Sequence, residues 1–232
     1  MFDKKNSLEM LKEIKKAYKS WAKDYDYYDA NIAILVERER FLDVVNPSKK
    51  DIILDAGCGT GRYISELKKK CKKVIGVDFS SDMLEVARYK NPDVEFYQAD
   101  LTKGLSFKKE SFDKIISSLV FSHFKDIEPP LREMHRLLKK GGRIFITDFP
   151  WHAPIDWKTI RYKKKIKYFL DVNKTSINRP IVQYIDKATL VGFNVIGIIP
   201  LRIRPTMKKY LTNKSYEKNK NKWGLAVYIF EK

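Results

Sequence analysis

The apolar residues follow two rhythms. Between residues 51 and 150, short apolar runs at 52–56, 73–78, 94–99, 112–119 and 143–149 alternate with stretches apolar at every third or fourth position. Runs of that length, rich in Ile and Val, suit strands buried on both faces of a parallel sheet. The intervening stretches predict helices. One covers 61–70, with Tyr63, Ile64 and Leu67 on one side. Another carries Met83, Leu84, Val86 and Ala87 behind a Ser80–Ser81 cap. A third spans 128–140, with Leu131, Met134, Leu137 and Leu138, and is predicted to stop at Gly141–Gly142. Five such β-α repeats predict a doubly wound α/β sheet with right-handed crossovers.

The flanks read differently. Residues 7–46 predict two helices, the second carrying Ile32, Leu35, Val36, Phe41 and Val44. Between them lies an aromatic and acidic run, 21–29, predicted as a lid that offers Tyr25 and Tyr28 to a substrate. After residue 150 the period falls to two. Ile160, Tyr162, Ile166, Tyr168, Leu170 and Val172 alternate with Arg161, Lys163, Lys165 and Lys167, which predicts an inserted hairpin with one cationic face. A helix at 180–191 ends at Gly192. Strands at 193–199 and 223–230, joined by a lysine- and asparagine-rich loop at 208–222, predict an antiparallel C-terminal hairpin that brings the sheet to seven strands. The expectation is one domain over 1–232: a helical lid (1–46), a core (47–150), a substrate-side insertion (151–180) and a C-terminal helix with edge strands (181–232).

Composition changes this picture in one respect. The net charge is +18, and residues 151–232 hold 18 Lys/Arg against 5 Asp/Glu. Such a basic third suggests an anionic substrate, an acidic partner or nucleic acid, against the alternative of a merely lysine-rich composition. With 13 Phe, 13 Tyr and 4 Trp the chain is expected to fold into a globule. No apolar stretch approaches the ~20 residues of a membrane span, and no secretory h-region follows Met1. Cys58 and Cys71 make no disulfide framework, so a reducing cytoplasmic setting is expected. No metal-ligand pattern is assigned.

The candidate chemistry lies where the strands end. Residues 52–56 run into Gly57-Cys58-Gly59-Thr60-Gly61 and then a helix start, a nucleotide-binding arrangement. Acids follow the next two strands, Asp78 and Asp100. Two features argue against a dinucleotide. The glycines alternate as G-x-G-x-G, and Asp55 stands directly before them, where it repels a pyrophosphate but suits a cationic amino group.

Four motifs in register, Asp55–Gly61, Gly76-Val-Asp78-Phe-Ser80, Gln98-Ala-Asp100-Leu101 and Arg136-Leu-Leu-Lys-Lys-Gly141-Gly142, closely resemble those of class I S-adenosylmethionine-dependent methyltransferases. The similarity is to the small-molecule subgroup that includes the ubiquinone- and menaquinone-pathway enzymes, and it spans about residues 15–150. It implies a Rossmann-like fold, S-adenosyl-L-methionine as cofactor and S-adenosyl-L-homocysteine as product. It also implies roles. Gly57, Gly59 and Gly61 would touch the methionine part, and Asp55 would orient its ammonium group. Asp78 would accept the ribose hydroxyls and Asp100 the adenine amine. Leu101 with Phe79 or Met83 would pack on the ring, and Ser118 would lie against the ligand.

The acceptor is less legible. His123, just past the fourth strand, is the candidate base; His152, past the fifth, is a second catalytic candidate at the acceptor pocket, and Trp151 beside it is a candidate for binding the substrate. The favoured acceptor is a small, anionic molecule. RNA is the rival, supported by the charge but lacking an N-P-P-Y-like segment at 117–120. A non-catalytic cofactor-binding protein is the reading from another class. Oligomeric state is not fixed by these features.

Overall fold

A computed structural model describes residues 32–155, 160–161 and 177–232. The predicted first helix, Tyr25, Tyr28 and nearly all of the period-two segment lie outside these residues. The described elements are α1 (Ile32–Arg38), α2 (Phe41–Val45), β1 (Ile52–Ala56), α3 (Ile64–Lys70), β2 (Lys73–Asp78), α4 (Ser81–Lys90), β3 (Glu95–Gln98), β4 (Phe112–Ser118), α5 (Glu128–Leu137), β5 (Leu138–Asp148), α6 (Ile181–Val191), β6 (Asn194–Arg202), α7 (Asn213–Asn219) and β7 (Trp223–Glu231). Three-residue and five-residue 3-10 turns stand at Phe121–His123 and Pro205–Lys209.

The strands form one seven-stranded sheet in the order β3-β2-β1-β4-β5-β7-β6. Strands β1 to β5 are parallel, and β7 runs antiparallel between β5 and β6. The predicted seven-stranded architecture with an antiparallel C-terminal pair is the observed one. Neighbouring residues on a strand feed opposite cores. Ile53 and Phe145 pack on one face, with α1, α2 and the β6–β7 connection; Leu54, Ile144 and Ile146 pack on the other, with α5 and α6. Burial on both faces is why the strands read as continuous apolar runs. The chain winds outward from β1 to β3, then returns to place β4 on the other side of β1. That reversal opens a crevice beyond the carboxyl ends of β1 and β4.

Three predicted elements are corrected. The helix at 128–140 ends at Leu137, because Leu138 is needed in the sheet, paired with Phe112. The pairing then slips between Phe112 and Lys114, and Gly141–Gly142 form the bulge instead of a helix stop. Gly141 has φ 73°, and a Cβ on Gly142 would stand 2.9 Å from the Lys139 carbonyl and 3.0 Å from that of Asp113. The loop at 208–222 is largely helical. Thr212 Oγ1 accepts the Ser215 N–H at 3.3 Å and caps α7, while Met207, Leu211 and Tyr216 are buried beneath. Burial of those three outweighs the lysine and asparagine composition. The single helix expected over 32–44 breaks at Glu39–Arg40 into α1 and α2, ending on a left-handed Asn46 (φ 45°). Among the described residues no helix is long and apolar enough to cross a membrane.

Candidate functional site

The β1–α3 loop is laid across the end of β2. Gly57 and Cys58 both donate their N–H groups to the Val77 carbonyl, at 2.7 and 2.9 Å. Gly59 donates its N–H to Asp78 Oδ2 at 2.8 Å, and Ser80 N–H reaches Asp78 Oδ1 at 2.8 Å. All three loop glycines have positive φ: 83° at Gly57, 53° at Gly59 and 72° at Gly61. Their surroundings differ. A Cβ on Gly57 would collide with Val120 just beyond β4, whereas one on Gly59 would meet nothing within 4 Å. Gly57 is therefore glycine because of the fold, and Gly59 leaves open space where a ligand can approach the backbone.

The acids at this end are buried. Burial pushes the Asp55 carboxyl up to about 8; Arg62 opposes the rise, and Asp78 and Glu37 reinforce it. Burial also raises Asp78, opposed by the N–H groups of Ser80, Gly59 and Phe79. The Arg62 guanidinium acts on both Asp55 and Glu37. Arg62 Nη2 bonds Glu37 Oε2 at 2.7 Å and Ser118 Oγ at 2.5 Å, and Thr147 Oγ1 donates to Glu37 Oε1. A positively charged ligand beside Asp55 would favour its ionised form.

The other predicted residues take these positions. Met83 and Leu101 are buried and Phe79 is half-buried at the ends of β2 and β3. Asp100 is half-buried, and its Oδ1 accepts the Thr102 N–H at 2.9 Å and hydroxyl at 2.7 Å. Ser118 is engaged by Arg62. His123 ends the 3-10 turn past β4 and is half-buried. Trp151 is 67% exposed, and its ring stacks on His152 with centroids 5.5 Å apart. His152 thus lies on the rim, stacked on an exposed ring.

Two clusters were missed by sequence reasoning. Glu37, which the sequence did not single out, is completely buried. Arg179 is buried as well. Its guanidinium donates to the carbonyls of Phe121 (2.9 Å), Phe124 and Lys125 (3.2 Å), and so holds the turn that carries His123. Burial lifts Asp148, at the end of β5, to about 6; Tyr184, donating at 2.5 Å, and the charge of Arg179 oppose the rise. No local signal in the sequence marks either cluster.

Comparison with known proteins gives three findings. A methyltransferase domain family matches residues 54–146. The demethylmenaquinone methyltransferase of Thermus thermophilus is 34% identical over 49% of this chain and 54% of its own length. The tRNA (carboxymethyluridine(34)-5-O)-methyltransferase of Xenopus tropicalis is 28% identical over 76% of this chain and 28% of its own. The chain thus spans about half, or less, of these curated relatives. Among solved structures, an S-adenosylmethionine-dependent methyltransferase from Mesorhizobium loti superposes with TM-score 0.65 at 22% identity, covering 85% of this chain and 98% of that one; this likeness bears on fold alone.

Proposed function

We propose that this chain, which carries a class I S-adenosylmethionine-dependent methyltransferase domain of the type 11 subgroup, transfers a methyl group to a small anionic acceptor. One observation carries the choice of acceptor. The β6–β7 connection stands at the same end of the sheet as Asp148, because Asp148 pairs with Ala226 and Arg202 with Trp223. There, residues 203–222 form structured walls with seven Lys/Arg against one acid. Helix α1 packs against the same walls, with Thr206 bonded to Glu39. An end of the sheet so rich in cations suits an anionic acceptor.

S-Adenosylmethionine supplies a methyl group already activated on a sulfonium, so the chain's task is chiefly binding and orientation. The residues present fit that cofactor. Gly59 leaves space for the methionine part, and Asp55 meets its ammonium group. Asp78, whose two oxygens accept backbone N–H groups, keeps acceptor capacity for a ribose hydroxyl. Met83, Leu101 and Phe79 offer apolar surface to adenine, and Asp100 Oδ2 an acceptor for its amine. Gly57 and Gly61 shape the turn, and Ser118 acts through Arg62. On the acceptor side His123 takes the proton that the acceptor loses, and His152 and Trp151 line the entrance.

RNA is the second reading. It is favoured by the tRNA-modifying relative, whose match extends over 76% of this chain. Methyl-labelled S-adenosylmethionine, incubated with the protein and either an anionic low-molecular-mass metabolite fraction or deproteinised RNA, separates the two. Label in the metabolite fraction is expected. Label confined to RNA overturns the small-acceptor reading, and label in neither, with no cofactor binding, overturns the methyltransferase reading.

A further inference from the structure

We infer that Glu37 is a positioning residue of the cofactor site: from α1 it fixes Arg62 across the strand ends and sets a charge balance that favours a sulfonium. The inference rests on the reading of this domain as one that binds S-adenosylmethionine.

The first argument is placement. Ile32, Ala33, Ile34, Leu35 and Val36 bury an apolar surface, and Glu37 is the one charged residue that α1 carries into that interface. It does not stop at the surface. Its two oxygens reach two separate elements, Arg62 directly after the glycine loop and Thr147 on β5. Through Arg62 it reaches a third, since the same Nη2 bonds Ser118 at the end of β4. The guanidinium also lies 4.9 Å from the centroid of the Tyr63 ring. Four segments distant in sequence therefore meet on one carboxylate, at the point where the cofactor loop enters α3.

The second argument is energetic. The side chains of Arg62 and Glu37 are only 7% and 0% exposed. A buried ion pair recovers little more than its desolvation penalty, and apolar residues of similar volume commonly do as well or better. If α1 served only to cover the sheet, a leucine at residue 37 would suffice. A buried polar network that ties together Glu37, Arg62, Thr147 and Ser118 instead favours one arrangement of the groups it joins.

The third argument is charge. Asp55 feels Arg62, Asp78 and Glu37 together. Glu37 adds its negative charge to the field at Asp55, and that charge favours a cationic ligand beside Asp55. S-Adenosylmethionine and S-adenosylhomocysteine share the amino acid and the nucleoside, but only the first carries the sulfonium charge. Removing the charge of Glu37 while Arg62 stays therefore penalises the sulfonium compound selectively. A purely structural defect weakens both ligands alike.

The test is calorimetric titration of both compounds into the unaltered protein and the variants Glu37→Gln, Thr147→Val and Glu37→Gln/Arg62→Gln. Glu37→Gln is expected to weaken S-adenosylmethionine about tenfold more than S-adenosylhomocysteine, the factor that 1.4 kcal/mol represents. Thr147→Val, which removes a hydroxyl and no charge, is expected to leave the ratio of the two affinities unchanged. The double variant is expected to restore that ratio. Should Glu37→Gln fail to fold in a thermal scan, Arg62→Gln reads the same balance with opposite sign, favouring S-adenosylmethionine. If the measured variant shifts both ligands by one factor, or neither, the Glu37 inference is overturned. If the unaltered protein binds neither compound, the methyltransferase reading falls with it.

Discussion

Gly57→Ala isolates the contact between the β1–α3 loop and Val120, just beyond β4. An added Cβ stands 2.3 Å from Val120 Cγ2 and 2.9 Å from Cγ1, at φ 83°. The left-handed backbone costs a non-glycine residue about 1–2 kcal/mol. Overpacking against Val120 adds about 1–3 kcal/mol. The sum is about 2–5 kcal/mol, or roughly 4–20 °C in Tm for a chain of this size. Gly59→Ala is the control: φ is 53° and nothing lies within 4 Å, so only the backbone part of about 1–2 kcal/mol remains. The assay is urea and thermal unfolding of the ligand-free protein. Truncating the neighbour tests the cause, because Gly57→Ala/Val120→Ala should recover the overpacking part as a coupling of about 1–3 kcal/mol. Ligand then reverses the ranking. At a concentration 100 times Kd, S-adenosylmethionine should stabilise the unaltered protein by about 2.7 kcal/mol, and Gly59→Ala should lose most of that while keeping its fold. Equal losses from the two ligand-free single variants, or no recovery with Val120→Ala, would refute the reasoning.

Three further outcomes follow from the buried charges and the basic walls. Asp55 holds a proton up to about pH 8 in the folded chain, against an ordinary 3.8. The native state thus binds the extra proton across that window, and its stability is full at about pH 4 and falls as pH rises towards 8. Unfolding measured from pH 5 to 8 should show that slope, and Asp55→Asn should flatten it. A cationic ligand expels the same proton, so S-adenosylhomocysteine should bind more tightly as pH rises to about 8 and then level off; a flat profile contradicts the assignment. Tyr184→Phe should destabilise by about 1.5–3 kcal/mol at pH 7.5, where Asp148 is ionised, and by less at pH 5, below its value of about 6. A pH-independent loss in paired melts would be the contrary result. Lys208→Glu and Lys209→Glu should each raise KM for an anionic acceptor about 2–5-fold with kcat unchanged, the factor set by about 0.5–1 kcal/mol per exposed charge pair; unaltered KM would remove the β6–β7 connection from the acceptor site.

The layout of the candidate cofactor end was legible because its parts are local. Asp55, Gly57, Gly59 and Gly61 belong to one strand–loop–helix unit, and Asp78 and Asp100 end the next two strands. Each needs only an apolar run and the residue after it to be found. Boundaries failed where a distant partner outweighed local preference. Leu138 reads as helix until Phe112 claims it for the sheet, and the 208–222 segment reads as loop until Met207, Leu211 and Tyr216 find a core to cover.

What the sequence determined by itself, then, is the β-α alternation, the doubly buried strands and the glycine loop with its acids, since period and turn chemistry are properties of neighbouring residues. Only the tertiary structure decided the contacts of Glu37, which lies 25 residues from Arg62 and 110 from Thr147. It alone also decided the placing of Arg179, 58 residues from the Phe121 carbonyl that it holds. Buried charges are tolerated only where partners converge on them, and that convergence is set by how the strands are ordered in space.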